Sequence, residues 1–136
     1  MTRPRILVCG GRDFSNGKFL FWFMDNLCEE RGWVTEKYPD GSRLPAVDVI
    51  HGGARGADDL AGVWAIAASI KPTVYKADWK RYGKKAGPIR NAQMLAEGRP
   101  DIVVAFPGGT GTAHMVQLAK EAGLEVVEIT NGNGGD

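Results

Sequence analysis

Ile6-Leu7-Val8-Cys9-Gly10-Gly11 is the stretch on which the fold turns. Four apolar residues in succession, without polar alternation, suit a strand covered on both faces. The glycine pair that follows marks the turn leaving such a strand. The same order recurs twice. Val47-Asp48-Val49-Ile50 leads through His51 to Gly52-Gly53 and Gly56, and Ile102-Val103-Val104-Ala105-Phe106 leads through Pro107 to Gly108-Gly109 and Gly111. Thr73-Val74-Tyr75 and Val126-Val127-Glu128-Ile129 complete a set of short apolar runs. Helical patterns lie between them, over about 18–31, 57–69, 88–97 and 112–122. Strands alternating with helices build βαβ units on a parallel sheet. Right-handed crossovers then give an α/β, Rossmann-like three-layer sandwich with five parallel strands, for which the common order 3-2-1-4-5 is expected.

Helix ends are readable too. Gly98 and Gly123 stand where a glycine beyond the last turn would stop a helix, and Pro72 and Pro100 block continuation. Residues 35–46, with Pro39-Asp40-Gly41-Ser42 and Pro45, read as a polar insertion, a loop or a small hairpin. The expected layout is one domain over 1–130 and a mobile tail over 131–136.

Composition narrows the function. The chain has 136 residues, with 17 Lys plus Arg against 16 Asp plus Glu, a net charge of +1. That balance makes nucleic acid an unexpected partner, because long nucleic acids are held chiefly by bulk positive charge. The longest run of large apolar residues, Phe19 to Met24, is far short of the ~18 needed to span a membrane, so no membrane partner is expected. The apolar start is too short for a secretory leader, and a cytoplasmic location is expected. Cys9 and Cys28 form no CxxC pair and read as reduced, buried thiols.

The excess is in glycine, 19 residues, about twice ordinary usage. In the expected strand order the three strands that end in glycine clusters are neighbours. Their loops line one crevice at the carboxyl ends of the strands, where such sheets bind ligands. Glycine lets backbone N–H groups approach closely, and a following helix adds unpaired donors and the positive end of its dipole. The chemistry implied is phosphate binding. The candidate ligand-binding residues are Gly10, Gly11, Arg12, Asp13, Gly52, Gly53, Arg55, Arg90, Gly108, Gly109, Thr110, Gly111 and Thr112. Thr110 or Thr112 is alternatively a helix N-cap.

Several familiar chemistries fail at named residues. Gly11 to Phe19 has one residue too many for a P-loop and places Phe19 where a magnesium-binding hydroxyl belongs. Gly10-Gly11-Arg12-Asp13 is not a dinucleotide fingerprint, and the second strand ends in His51 where an acid is required. His51 and His114 lack neighbours at ligand spacing, so neither a metal nor a cofactor is expected. No G-x-S-x-G elbow is present.

Certain motifs carry a resemblance. Gly52-Gly53-Ala54-Arg55-Gly56-Ala57-Asp58 resembles the glycine-arginine motif of the DNA-processing protein DprA (SMF), and Gly87-Pro88-Ile89-Arg90-Asn91-Ala92-Gln93-Met94 its second, Arg-Asn motif. Pro107-Gly108-Gly109-Thr110-Gly111-Thr112 is similar to the PGGxGT signature of the LOG phosphoribohydrolases. Together they resemble the SMF/DprA-LOG (SLOG) superfamily, closest to small stand-alone members related to YspA and YpsA, whose start is similar to Gly10-Gly11-Arg12-Asp13-Phe14. The likeness runs from about Arg5 to Ile129. It implies a Rossmann-like fold that binds a phosphate-bearing nucleotide or an ADP-ribose-like small molecule, as a sensor or ligand-binding protein. It also carries two other activities, LOG-like cleavage of the N-glycosidic bond of a nucleoside monophosphate and DprA-like binding of single-stranded DNA. Arg90 matches the LOG arginine. The LOG glutamate, three residues beyond the signature threonine, is replaced by Met115, which cannot stabilise charge at a sugar. Arg90 and His114 are the remaining candidates for a catalytic role.

Other residues have plainer readings. Asp58 and Asp59 fall in a first helical turn, where carboxylates favour the dipole. His51 reads as a structural hydrogen-bonding residue, and Lys80, Arg81, Lys84 and Lys85 as a basic loop that is either solvated or closes over ligand. Phe19-Leu20-Phe21-Trp22-Phe23-Met24 places apolar side chains around a whole helix, whereas one sheet covers a stripe little more than 100° wide. Either the 35–46 insertion covers the excess, or a second copy does, in a homo-oligomer.

Overall fold

The computed structural model describes residues 3–130; the expected tail over 131–136 lies outside them. Five parallel strands form one sheet in the order β3-β2-β1-β4-β5, as the sequence predicts. Along the chain the elements are β1 (Arg5–Cys9), α1 (Gly17–Arg31), β2 (Asp48–His51), α2 (Ala57–Ala67), β3 (Thr73–Val74), α3 (Trp79–Tyr82), a 3-10 turn (Gly83–Lys85), α4 (Ala86–Gly98), β4 (Ile102–Ala105), α5 (Thr110–Glu121) and β5 (Glu125–Glu128). β1 is central, paired in parallel with β2 on one side and β4 on the other.

Strand side chains alternate between two cores. Ile6, Val8, Ile102 and Val104 pack under α1 and α2 with Trp64 and Phe106, while Leu7, Cys9, Val103 and Ala105 pack under α4 and α5 with Met94 and Met115. Ile6, Leu7 and Val8 are fully buried, which is why β1 reads as an unbroken apolar run.

Helix ends follow local chemistry, with one substitution of roles. Asn16 caps α1 by accepting from the Phe19 N–H at 3.0 Å, and left-handed Gly32 and Gly123 follow α1 and α5. Gly98, by contrast, is the last residue of α4, and Arg99 takes the left-handed position beyond it (φ 49°). Glycine at 98 answers a different need: a Cβ there would stand 3.1 Å from Ile50 of β2. Pro88 lies in the first turn of α4, where its missing N–H costs no hydrogen bond. The expected basic loop is instead α3 and the 3-10 turn; α3 is four residues long, too short to show a period. The insertion is a small hairpin, with an antiparallel bridge between Val34 and Pro45 and a bond from the Thr35 N–H to the Leu44 carbonyl.

The apolar run of α1 is largely accounted for within one chain. Leu20 and Met24 are buried. Phe19 and Phe23 pack on Phe106, with ring centroids 6.2 and 5.7 Å away. Phe21 shares a cleft with Val34, Leu44 and Pro45 of the hairpin. Trp22 alone of the six remains largely exposed, at 59%.

The loops after β1, β2 and β4 meet where strand order reverses, and they fit by close backbone approach. The Gly11 N–H donates to the Pro107 carbonyl (2.8 Å), and the Gly11 carbonyl accepts from Ala57 (3.2 Å). Gly53 and Gly56 both hold a positive φ that other residues resist, at 72° and 82°, and a Cβ on Gly56 would collide with the Gly11 carbonyl oxygen. Gly56→Ala should therefore combine backbone strain with a steric clash and cost at least about 2 kcal/mol. Denaturant unfolding measures it, and a loss under about 0.5 kcal/mol would show that the loops are not held as described.

Candidate functional site

A cavity of about 580 Å³ opens at the carboxyl ends of β1 and β4, a size common for small-molecule sites. Gly10, Arg12, Arg90, Gly109, Thr110, Gly111, Thr112 and His114 line it, with Cys9, Asp58, Trp79, Lys84 and Asn91. A second cleft of about 400 Å³ adjoins it, lined by Arg12, Gly52, Gly53, Ala54, Arg55, Lys76, Ala77, Trp79 and Arg90. The topology thus gathers ten of the thirteen candidate ligand-binding residues and both catalytic candidates on two adjoining concavities, together with Met115.

The remaining three lie elsewhere. A Cβ on Gly11 would meet the Pro107 oxygen at 2.9 Å, and one on Gly108 would meet Gly11 N at 2.6 Å. Their smallness serves loop-on-loop packing. Asp13 is exposed and forms a 3.3 Å ion pair with Arg55.

The loop from β4 to α5 differs. At Gly109 and Gly111 a Cβ would meet no protein atom within 4 Å, and neither residue has a positive φ. The fold itself does not require glycine there. Gly109 occupies the N-cap position and no side chain caps α5, so neither Thr110 nor Thr112 is the cap. An uncapped helix start with small residues, facing a cavity, is chemically suited to an anion.

The loop after β2 is braced from within. Asp58, buried in the first turn of α2, accepts from the N–H groups of Gly52 (3.1 Å) and Ala54 (3.3 Å). Gly53 donates to His51 Nδ1 at 3.0 Å, so this histidine is structural, and burial lowers its pKa. Three successive N–H groups thus have protein acceptors. Side chains, rather than this backbone, are left to meet a ligand on that side.

Arg90 stands between the two concavities. Its Nη1 donates to the Gly52 carbonyl (2.5 Å) and its Nε to Asn91 Oδ1 (3.1 Å). Asn91 is buried, and its Nδ2 donates to the Gly111 carbonyl (3.2 Å) and lies 3.1 Å from His114 Nδ1. Since an amide nitrogen only donates, His114 Nδ1 accepts, and the neutral ring carries its proton on Nε2. Arg12 lies over the Trp79 ring, 5.2 Å from its centroid, a cation–π contact on the wall common to both spaces.

Burial pushes the Asp58 pKa up to about 6, against the opposing pull of the Ala54 N–H, Arg90, the Gly52 N–H and Arg12. Burial also lowers Arg90, while Asp58 raises it. Cys9, at the cavity floor, is pushed up to about 12, chiefly by burial and then by Asp58, and Cys28 likewise, chiefly by burial. Neither is a ready nucleophile at neutral pH. No cluster of metal-ligating side chains occurs among the described residues.

Asn91 and Trp79 line the larger cavity and Lys76 the smaller cleft without having been singled out from sequence, whereas Lys84 belongs to the basic segment read as solvated or closing over ligand. Asn91 was within reach, since it stands in the Arg-Asn motif. Trp79 had no signal, because its helix is shorter than any period that would place it.

The model of the YspA, cpYpsA-related SLOG family matches residues 4–82. The "Gene 61 protein" of Mycobacterium phage D29 is 44% identical over 132 residues, covering 92% of this chain and 95% of that protein.

The raised pKa of Asp58 has a sign that can be tested. Its folded value lies above the ordinary 3.8, so the folded protein binds the proton more tightly. The stability this confers is present below about pH 4 and lost as pH rises through about 6. Asp58→Asn keeps an oxygen that accepts from Gly52 and Ala54 but removes the titration. The stability of the variant relative to wild type should therefore rise by up to about 3 kcal/mol between pH 4 and pH 7, then level off. His51 titrates in both proteins and cancels in the difference. Denaturant unfolding at several pH values measures this, and a flat difference would refute it.

Proposed function

Because the chain belongs to the YspA, cpYpsA-related SLOG family, we propose that it binds a phosphate-bearing nucleotide or an ADP-ribose-like small molecule, as a sensor or ligand-binding protein. Membership by itself suggests a nucleotide-related ligand. The observation that carries the finer reading is the pair Gly109 and Gly111, glycines that the fold does not require, at the uncapped start of α5 on a cavity also lined by Arg12, Lys84 and Arg90. A phosphoryl group there would accept from backbone N–H groups and from the Arg90 guanidinium, charge-assisted bonds of the stronger kind. Trp79 offers an aromatic surface beside it.

Binding is favoured over N-glycoside cleavage. Met115 stands where LOG enzymes carry glutamate, and it is fully buried in the core beneath α5. His114 is tied through Nδ1 to Asn91, which gives it a fixed orientation but no carboxylate partner among its hydrogen bonds. Single-stranded DNA is disfavoured by the near-neutral net charge. No helix of the described residues is long and apolar enough to cross a membrane.

Gly109→Val should abolish binding of AMP or ADP-ribose in calorimetry while the protein still unfolds cooperatively, with a loss of about 1 kcal/mol from the poorer N-cap of α5, because the side chain meets no packed neighbour. Arg90→Ala should weaken binding by at least tenfold, with some loss of stability from the freed Gly52 carbonyl. Wild-type affinity in a folded Gly109→Val protein would overturn the site assignment.

The proposal extends to self-association. The helix layer of α1 and α2 exposes Trp22 (59%), Val63 (50%) and Ile66 (67%), large apolar groups suited to a contact between two copies. Sedimentation at micromolar concentration should give at least a dimer, and Trp22→Glu should return it to monomer. A wild-type monomer throughout would refute the contact.

A further inference from the structure

The two concavities differ in chemistry. The larger is lined by Arg12, Lys84 and Arg90, with the Asp58 carboxylate and the backbone start of α5. The smaller is lined by four cations, Arg12, Arg55, Lys76 and Arg90, and by no carboxylate. Its backbone N–H groups at Gly52, Gly53 and Ala54 are already bound to Asp58 and His51. Whatever enters must be met by long cationic side chains.

Glycine makes room for them. A Cβ on Gly53 would stand 3.0 Å from Lys76 Cγ and 2.9 Å from Val74 Cγ1, and one on Gly52 would collide with the Arg90 guanidinium. The loop therefore admits two cations at close range. Like charges gathered on one concave surface repel each other, and an anion relieves that repulsion. Asp58 attracts Arg90 and Arg12 from the larger cavity, while Asp13 pairs with Arg55 in an exposed contact whose side chains are 97% and 75% accessible. Such pairs are worth little and exchange partners readily.

The clefts meet along a common wall. Arg12, Ala54, Trp79 and Arg90 line both, and Arg12 is stacked on Trp79 at that wall. A ligand long enough to reach past that wall would touch both.

We propose that the smaller cleft is a second phosphoryl subsite, and that the ligand is a nucleotide with at least two phosphoryl groups, one at the start of α5 and one among Arg12, Arg55 and Lys76. This rests on the proposed nucleotide binding in the larger cavity. Lys76 is the discriminating residue, since it lines the second cleft and not the first.

Calorimetry on the full chain tests it, with AMP, ADP-ribose and adenosine 3′,5′-bisphosphate as probes at two salt concentrations. Wild type should bind at least one two-phosphoryl probe tenfold or more tighter than AMP, with a steeper fall in affinity as salt rises. Lys76→Gln should remove most of that advantage and change AMP affinity less than twofold; Lys76→Glu should reverse it. Lys76 is exposed, so both variants should keep the wild-type unfolding midpoint. AMP binding with no advantage for either two-phosphoryl probe would overturn the second subsite and leave nucleotide binding standing. An advantage untouched by both Lys76 variants would overturn its placement. Failure of all three probes to bind would overturn both readings together.

Discussion

The peptide of Gly11 is the joint on which the site depends. Its N–H is held by the Pro107 carbonyl, and its own carbonyl receives the N–H groups of Phe14 and Ala57. One residue thereby ties the loop after β1 to the loop after β4 and to the start of α2. This is possible only if the neighbouring backbones come closer than any side chain permits, and Gly10, Gly56 and Gly108 are the residues that would otherwise intrude. Parallel strands supply the spacing; the loops complete it by making each loop's polar groups the partners of the next. Buried backbone groups must be paired somewhere, and here they are paired across loops rather than with a ligand.

That economy decides which parts of the site remain open to chemistry. After β2, Asp58 and His51 take up the N–H groups and Arg90 takes the Gly52 carbonyl. After β4, Asn91 takes the Gly111 carbonyl but no side chain caps the helix. The two sides are therefore unequal: one presents backbone and the helix dipole, the other cationic side chains. Asp58 shows the cost of the arrangement. A carboxyl group buried for the sake of two backbone hydrogen bonds is pushed up to about 6, and Arg90 and Arg12 keep it from rising further.

The architecture was legible because both faces of the sheet are covered. Unbroken apolar runs at β1 and β4 marked a doubly wound sheet, and the strand order common to such sheets was enough to bring the three glycine loops together. Less was legible where one residue type serves two physical ends. Gly98 read as a helix stop, yet the left-handed residue is Arg99 and the glycine accommodates Ile50. Asp58 read as a partner of its helix dipole, yet its carboxylate braces a loop. The six apolar residues of α1 read as more surface than one sheet covers, with either the 35–46 insertion or a second copy as the cover; Phe19 and Phe23 reach Phe106 and Phe21 reaches the hairpin, which leaves Trp22 exposed.

The glycines of the three loops finally separate into two kinds, and only coordinates divide them. At Gly10, Gly11, Gly56 and Gly108 a methyl group would strike protein, so folding alone accounts for the residue. At Gly109 and Gly111 it would meet nothing beyond the residue's own neighbours and helix, so packing accounts for neither. That difference is the support for the proposed phosphoryl site at the start of α5. The phage relative is similar over nearly the whole length, whereas the family model stops at residue 82, before the loop that carries both glycines. The matched segment holds Gly11 and Gly56, while Pro107 and Gly108, which complete the joint, lie beyond it with Gly109 and Gly111.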